Sequence, residues 1–248
     1  MASRIRAGVV LGMLGMMIPL ASEARAQSAD FLFRRPTVSA ALRLGWAVPR
    51  AGSDLFDLVT DSLTLDRSDF ATATIQAELG VRVGERLDLT LGVGHAESSS
   101  RSEFVNWVEE GDLPIEQTTT FRRTPIEVGV KGYLRERGRA ISRFAWVPYR
   151  WAPYVGGGAG VMVYAFEQSG DFVDYETAEI FTRDFVSEGA APTAHVAAGL
   201  DVSLSPHLLL TGEGRYQWAS AELSDDFDAF DPIDLSGFQL TAGVAFRF

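Results

Sequence analysis

Residues 238–248 read Phe238-Gln239-Leu240-Thr241-Ala242-Gly243-Val244-Ala245-Phe246-Arg247-Phe248 and alternate apolar with small or polar side chains. A β-strand sends successive side chains to opposite faces, so every second residue from Phe238 to Phe248 shares one apolar face. The opposite face, with Gln239, Thr241 and Arg247, suits a wet interior. A segment of this kind predicts a strand that crosses a membrane as part of a barrel, which needs about 9–11 residues.

The same alternation recurs along the rest of the chain, and each repeat has one clean apolar face. The predicted strands are 37–48, 70–83, 87–96, 118–134, 153–166, 193–204, 208–219 and 238–248. An even number of strands is typical of barrels with both chain ends on one side of the membrane. The sequence therefore predicts an all-β fold, an eight-stranded antiparallel up-and-down transmembrane β-barrel.

The connections between these strands predict which end of the barrel faces which side. Residues 84–86 and 205–207 form tight turns, as on the periplasmic side, whereas the links after the first, third, fifth and seventh strands are long, as on the outer side. The link 135–152 is long for a periplasmic turn and rich in arginine, and its role stays open. Aromatic residues near strand ends predict interfacial girdles. They are Trp46, Tyr216, Trp218 and Phe238 at the outer rim and Trp151, Tyr154, Phe246 and Phe248 at the inner rim.

The N-terminal residues 1–26 have the features of a cleaved secretory signal. Arg4 and Arg6 precede an apolar run, and Ala24-Arg25-Ala26 has the small-x-small pattern of a signal-peptidase site. A membrane anchor is the alternative, but the run is short for a span of about 20 residues. We expect residues 27–248 to form the barrel domain. With no cysteine in the chain, its strand ladder rather than disulfides must hold it together.

The segments 153–161 and 243–248 resemble those of the small outer-membrane β-barrel family typified by outer membrane protein A and outer membrane protein X. The resemblance lies in pattern more than in identical residues and covers nearly all of residues 30–248. It implies a bacterial outer-membrane location, a side-chain-filled barrel without a wide pore, contact with outer-membrane lipid and lipopolysaccharide, and a monomer. It also implies insertion by the barrel-assembly machinery, for which Val244, Phe246 and Phe248 would be the C-terminal signal. The family hosts several activities, so the resemblance implies no single one.

Charges of both signs fall on the predicted inward faces. Because an eight-stranded barrel is just wide enough for side chains, such charges must be paired. The predicted interior network consists of Arg43, Glu78, Arg82, Glu127, Lys131, Glu213 and Arg215. We expect Glu78 or Glu127 to pair with Arg82 or Lys131, and Glu213 with Arg43 or Arg215. A structural polar plug is the favoured interpretation, and a salt-bridge gate in a narrow pore is the alternative.

The net charge of −11 argues against a nucleic-acid partner. The predicted outer loops are acidic and contain interleaved aromatic residues, which suggests contact with a protein or host surface. These aromatics are Phe172, Tyr175, Phe181, Phe185, Phe227 and Phe230. The aspartates of 225–234 do not have the spacing of a calcium loop, so no metal or other cofactor is predicted.

A lipid-modifying enzyme is a third interpretation and would need a histidine near a serine and a carboxylate at the outer rim. His95 is near Glu97 and Ser98 in the chain, and His195 is predicted to point inward near the rim, but neither spacing is a specific catalytic signature. The sequence therefore predicts a non-enzymatic outer-membrane barrel with a structural or surface-interaction role.

Overall fold

The computed structural model describes residues 31–109, 113–142, 145–174 and 179–248. Residues 1–30, and with them the predicted signal segment, lie outside the described part. The described chain contains eleven strands, one helix (α1, Asp54–Ser62) and two single 3-10 turns, Arg67–Phe70 and Asp225–Phe227. The strands are β1 Val38–Pro49, β2 Thr72–Arg82, β3 Leu87–Glu109, β4 Leu113–Tyr133, β5 Gly138–Ser142, β6 Ala145–Pro148, β7 Trp151–Val173, β8 Ile180–Ser203, β9 Leu208–Ala221, β10 Ile233–Asp234 and β11 Gly237–Arg247.

Eight of these strands close into one antiparallel ring. Each long strand pairs with the next long strand in the chain, and β11 returns to pair with β1. The short β10 pairs with β9 beyond the stretch of β9 that pairs with β11. Strands β5 and β6 form a separate hairpin. The predicted eight-stranded barrel is confirmed, and closure leaves no free edge around the ring.

The stagger of the ring follows from the strand register. A walk through directly paired residues starts at Ser39 of β1, crosses all eight strands and returns to β1 at Pro49, ten residues further along. A shear of ten on eight strands tilts the strands by about 40° and leaves an interior filled by side chains. The stagger therefore decides which inward residues from different strands meet at one height.

The outer surface of the ring is apolar over a continuous belt. Leucine, valine and isoleucine side chains of every ring strand are exposed there, among them Leu44, Leu91, Val128 and Leu240. A closed ring satisfies the backbone polar groups of its strands, so such a belt can lie in lipid. The protein is therefore a transmembrane barrel of the outer-membrane type.

Aromatic residues flank the belt at both ends. Trp46, Trp218 and Phe238 are about half exposed at the outer rim, and Trp151 and Phe248 are about half exposed at the inner rim. Six of the eight predicted girdle residues are exposed in this way, Phe246 included, and Tyr216 is partly exposed.

Tyr154 does not belong to the girdle, and the prediction for it is wrong. Its side chain is buried in the barrel interior because it shares the inward parity of Gly156 and Gly158. Residues two apart on a strand share a face, and adjacent residues point to opposite faces. Because Val155 faces lipid, its neighbour Tyr154 has to face the interior.

Four strands continue well beyond the lipid belt at the outer end. β3, β4, β7 and β8 have 23, 21, 23 and 24 residues, about twice what a membrane crossing needs. Much of what the sequence suggested to be the second and third outer loops is therefore paired strand. The ladder of β7 with β8 runs without interruption from Trp151–Val202 to Val173–Ile180.

One short helix accompanies the strands. α1 lies in the first outer connection and has Leu55, Phe56 and Val59 on its buried face. Among the described residues, no helix is long and apolar enough to cross a membrane.

Candidate functional site: the barrel interior and its two closures

A chain of ion pairs crosses the middle of the barrel. It links three cations and three carboxylates in alternating order: Lys131, Glu78, Arg43, Glu213, Arg215 and Glu127. Lys131 Nζ lies 2.5 Å from Glu78, and Arg43 Nη2 lies 3.0 Å from Glu78 and 3.4 Å from Glu213. The three cations balance the three anions, which is the condition for burying such a group at all.

The second half of the chain is bound equally closely. Arg215 donates to Glu213 at 2.9 Å and to Glu127 at 2.9 Å. Neutral donors satisfy further carboxylate oxygens: the Tyr154 hydroxyl donates to Glu213 at 2.9 Å, and the Gln217 amide donates to Glu127 at 2.9 Å. Glu213 and Glu127 are therefore held by neutral hydrogen-bond donors as well as by charge.

Glycines on the inward faces make room for the large side chains of this layer. A Cβ on Gly199 would come within 2.3 Å of the Tyr154 ring, and one on Gly158 within 2.4 Å of the Val128 carbonyl and 2.8 Å of the His195 ring. Gly158 and Gly199 therefore have to be small, because a ring from β7 or β8 and the backbone of a neighbouring strand occupy the space beside them.

The structure brings six of the seven predicted network residues together, and the seventh, Arg82, lies elsewhere. Arg82 is at the inner end of β2, where its guanidinium donates to the backbone carbonyls of Gly84 and Glu85 at 3.1 Å each. The predicted pairing of Arg82 with Glu78 or Glu127 is wrong, because the strand ends there and the adjacent turn supplies closer acceptors. Lys131 takes Glu78 instead.

Helix α1 closes the outer mouth of the barrel. The ring of Phe56 is fully buried and lies 5.0, 5.3 and 5.7 Å from the rings of Phe70, Phe121 and Phe166 in edge-to-face geometry. Around them pack Leu55, Val59, Leu63, Met162, Ile233 and Leu235. We call this cluster the outer plug. The apolar spacing Leu55, Phe56, Val59 was the sequence signal for it, lying in a stretch that strand periodicity leaves as a loop.

The aromatic residues of the fourth outer loop belong in part to this plug. Phe227 is 4% exposed, and its ring lies 5.7 Å from Phe166 and 6.0 Å from Phe185. The expectation that Phe227 would be available for surface contact is wrong, because the loop folds back over the barrel mouth and buries it. Phe181 remains partly exposed on the outer part of β8, and Tyr175 lies outside the described residues.

Arg123 connects the outer plug to the wall of the barrel. It is buried on β4, where its guanidinium donates to the Leu235 carbonyl at 3.2 Å and lies 5.2 Å from the Phe121 ring centroid. A cation at this depth needs acceptors, and the plug's own backbone provides one. Seating of the fourth loop is thus coupled to a charged side chain of the wall.

The arginine-rich link closes the inner mouth. The β5–β6 hairpin places Trp146 at 2% exposure, where it exchanges two 2.8 Å backbone hydrogen bonds with Leu32. Arg247 lies over the Trp146 ring at 5.1 Å, and Arg137 binds both oxygens of Asp88 at 2.6 and 2.8 Å. The described part of this link is an inner cap built from one tryptophan and paired arginines.

Between the inner cap and the charge network lies a small cavity of about 40 Å³. Its lining includes Glu78, Lys131, Tyr133 and Asp201, and the Tyr133 hydroxyl donates to Asp201 at 2.8 Å. A space of this size has room for a few water molecules. Along the described residues the interior thus consists of a plug, a charge layer, a small cavity and a cap.

The histidine groupings of the sequence separate in space. His95 faces outward with Nδ1 3.0 Å from Thr124 Oγ1, whereas Ser98 is buried on the inward face of the same strand. His195 is buried in the interior with Nδ1 2.9 Å from Glu127. His95 and Ser98 therefore cannot act on one substrate atom from opposite sides of the wall.

The aspartates of the fourth outer loop also have separate partners. Asp226 accepts from Arg183 and from the Val186 backbone, while Asp234 accepts from the Ser236 backbone. Within the described ranges, no group of three or more histidine, aspartate or glutamate side chains is close enough to hold a metal ion.

Neither protein-family models nor curated protein sequences give a match to this chain. Solved structures with a similar barrel include Neisserial surface protein A, with 14% identity over 89% of this chain and 98% of the other and a TM-score of 0.47. The outer membrane protein OprG from Pseudomonas aeruginosa is 12% identical over 88% of this chain and 99% of its own, with a TM-score of 0.45. Ail, the attachment invasion locus protein of Yersinia pestis, is 13% identical over 86% and 99%, with a TM-score of 0.42. At these values the roles of those proteins do not transfer, and the assignment of this chain as an outer-membrane-type barrel rests on its closed strand ring and lipid-facing belt.

Proposed function

We propose that this protein is a closed, non-conducting and non-catalytic barrel that holds a rigid acidic sheet above the outer membrane for contact with a positively charged surface. The observation that carries the proposal is the continuation of β3, β4, β7 and β8 as paired strands far beyond the lipid belt. An interior occupied by a plug, a charge layer and a cap supports a scaffold better than a path for solutes.

The charge of the outer end supports a cationic partner. The segments 50–71, 97–123, 165–191 and 220–236 contain 24 of the 33 acidic residues of the chain and 6 basic ones. A surface with this excess of one sign raises the encounter rate of an oppositely charged partner and weakens with salt. An acidic exterior also disfavours partners that are themselves anionic.

The outer part of β7 and β8 offers a defined contact surface. Phe172 packs against Phe181 at 6.0 Å and against Phe185 at 4.7 Å, which stiffens the hairpin. In the described chain, the ladder of β8 with β9 begins at Thr193, and Ser224 and Asp226 bind the Val186 backbone, so the stretch 180–185 has a strand partner on the β7 side alone. An edge of this kind accepts an extended segment by strand addition.

The contact is tested by the binding of a fluorescent basic peptide to cells or vesicles that display the protein. The variant D184N/E188Q removes two exposed charges from the outer part of β8 and should weaken binding. The matched control E85Q/E136Q removes two charges at the inner end and should leave binding unchanged. Equal effects of the two variants, or binding that does not weaken with salt, would refute the proposed surface.

The closed interior is tested by conductance in planar bilayers. The wild-type barrel should give no discrete channels, because the plug, charge layer and cap occupy its length. Discrete channels abolished by E127Q would instead favour the narrow gated pore. Non-catalysis is tested with H95A and H195A, which should leave the lipid A profile of the host membrane unchanged.

The two chain ends complete the proposal. Residues 1–26 would be a cleaved signal, detectable as an N-terminus at Gln27 in the purified protein. Val244 and Phe246 on the lipid face of β11, and Phe248 directly after it, are about half exposed and would form the segment read by the barrel-assembly machinery. Replacing Phe248 with Ala should lower the amount of heat-modifiable barrel in the membrane, and the folded protein should be a monomer among outer-membrane lipid and lipopolysaccharide.

A further inference from the structure

The inner rim of the barrel carries a guanidinium that is held by aromatic rings rather than by a carboxylate. Arg135 follows β4, and its guanidinium carbon lies 4.9 Å from the Tyr149 ring centroid and 4.8 Å from the Trp151 ring centroid. Trp151 is a half-exposed member of the inner girdle. Two rings thus fix a cation at the height where the lipid belt ends.

Two more arginines lie on neighbouring elements at the same end. The Arg86 carbonyl accepts from the Tyr133 backbone at 2.7 Å, and the Arg150 carbonyl accepts from the Ser203 backbone at 2.7 Å. These contacts place Arg86, Arg135 and Arg150 along consecutive strand ends, at the β2–β3 turn, after β4 and before β7. We call these three residues the inner arginine arc.

The side chains of the arc differ in their partners from two other arginines of the inner end, Arg35 and Arg137. Arg137 is bound to Asp88 and Arg35 to Glu85, whereas the described residues supply no ion-pair partner to the arc. Arg86 and Arg150 are exposed, and the exposed acids beside them are Glu136 and Glu85, the second of which pairs with Arg35. The arc therefore has three guanidinium groups without a carboxylate partner among the described residues, one of them stacked on the girdle residue Trp151 and two on exposed side chains.

We propose that the inner arginine arc binds the anionic phosphate headgroups of phospholipids in the inner leaflet. A guanidinium matches phosphate oxygens with paired N–H donors, and its aromatic neighbours keep it at headgroup height. Basic residues beside a membrane attract anionic lipids, each contributing about five-fold in association. The arc is adjacent to half-exposed Trp151 and exposed Leu134, so a lipid headgroup reaches it without leaving the bilayer.

The binding is measured with the full barrel in phosphatidylcholine bilayers containing spin-labelled phosphatidylglycerol or spin-labelled phosphatidylcholine. The wild type should retain phosphatidylglycerol preferentially, with a preference that falls as salt rises. R135Q should lower the preference for phosphatidylglycerol over phosphatidylcholine about five-fold, and R86Q/R135Q/R150Q should abolish it. R135K keeps the charge but loses the planar stack and the paired donors, so it should fall between the wild type and R135Q.

The matched control is R50Q/R67Q/R101Q, which removes three exposed arginines from the outer end and should keep the preference. Heat-modifiable gel mobility checks that each variant is folded. The proposal is overturned if the arc variant retains the wild-type preference, if the outer control loses it equally, or if inorganic phosphate displaces the lipid at comparable concentration. If the arc variant loses binding to isolated peptidoglycan but retains the wild-type lipid preference, the partner of the arc is the cell wall and the lipid proposal is overturned.

Discussion

Removing Arg43 should destabilise the barrel far more than removing Arg43 and Glu213 together. Arg43 is 1% exposed and bridges Glu78 and Glu213, so it joins the two halves of the charge layer. R43M leaves three carboxylates facing two cations at the centre of the barrel. Breaking a buried pair in this way costs about 3–5 kcal/mol. For R43M we expect a cost at the lower end of this range, because Glu78 is still paired with Lys131 and Glu213 is still paired with Arg215.

The double variant R43M/E213Q restores the balance of charge. Two complete pairs remain, Lys131 with Glu78 and Arg215 with Glu127. Replacing a buried pair by groups of similar volume is often close to neutral, so the double variant should cost only about 1 kcal/mol. The coupling energy between the two positions should then reach about 2 kcal/mol or more, in the range of directly interacting residues.

The assay is urea unfolding in lipid vesicles, followed by tryptophan fluorescence and by heat-modifiable gel mobility, with R43M, E213Q and the double variant measured together. A matched cycle with R101M and E116Q examines an exposed pair on the outer strands, which should contribute at most about 1 kcal/mol. If the Arg43 and Glu213 effects simply add, or if the double variant is less stable than R43M, the interior charges are not held as one balanced layer.

Three further predictions concern the closures and the space between them. F56A should cost about 3–5 kcal/mol of local stability in the outer plug and raise protease cleavage in α1, while the barrel itself stays heat-modifiable. W146A should speed hydrogen exchange at the amides of Leu32 and residue 146, since it removes the buried ring on which the inner cap is built. G199A should push the Tyr154 ring aside, crowd the Gly212 carbonyl and cost about 1–3 kcal/mol, and only the part due to Tyr154 should disappear when Tyr154 is also replaced by Ala.

Which face each side chain occupies could be predicted from the sequence alone. The two-residue period of a strand is local, so the outward direction of Leu240 and the inward direction of Glu127 follow from parity once the strand is recognised. Tight turns such as 84–86 also allowed the order of the strands and the periplasmic end of the barrel to be predicted. The prediction for Tyr154 was wrong because it placed this residue in the lipid-facing girdle against the parity of its own strand.

The partners of the inward charges were decided by the tertiary structure. A stagger of ten residues around the ring places Glu78, Arg43 and Glu213 at one height and leaves Arg82 at the inner end. Loop packing is equally nonlocal: Phe56 and Phe227 fill the outer mouth because rings from β4 and β7 meet them there. The sequence by itself determined that each strand has one apolar face directed to lipid, because the alternation of side chains is set within each strand separately. Only closure of the ring could determine what fills the other side, because the interior pairs, apart from Arg215 with Glu213 on β9, join residues from different strands.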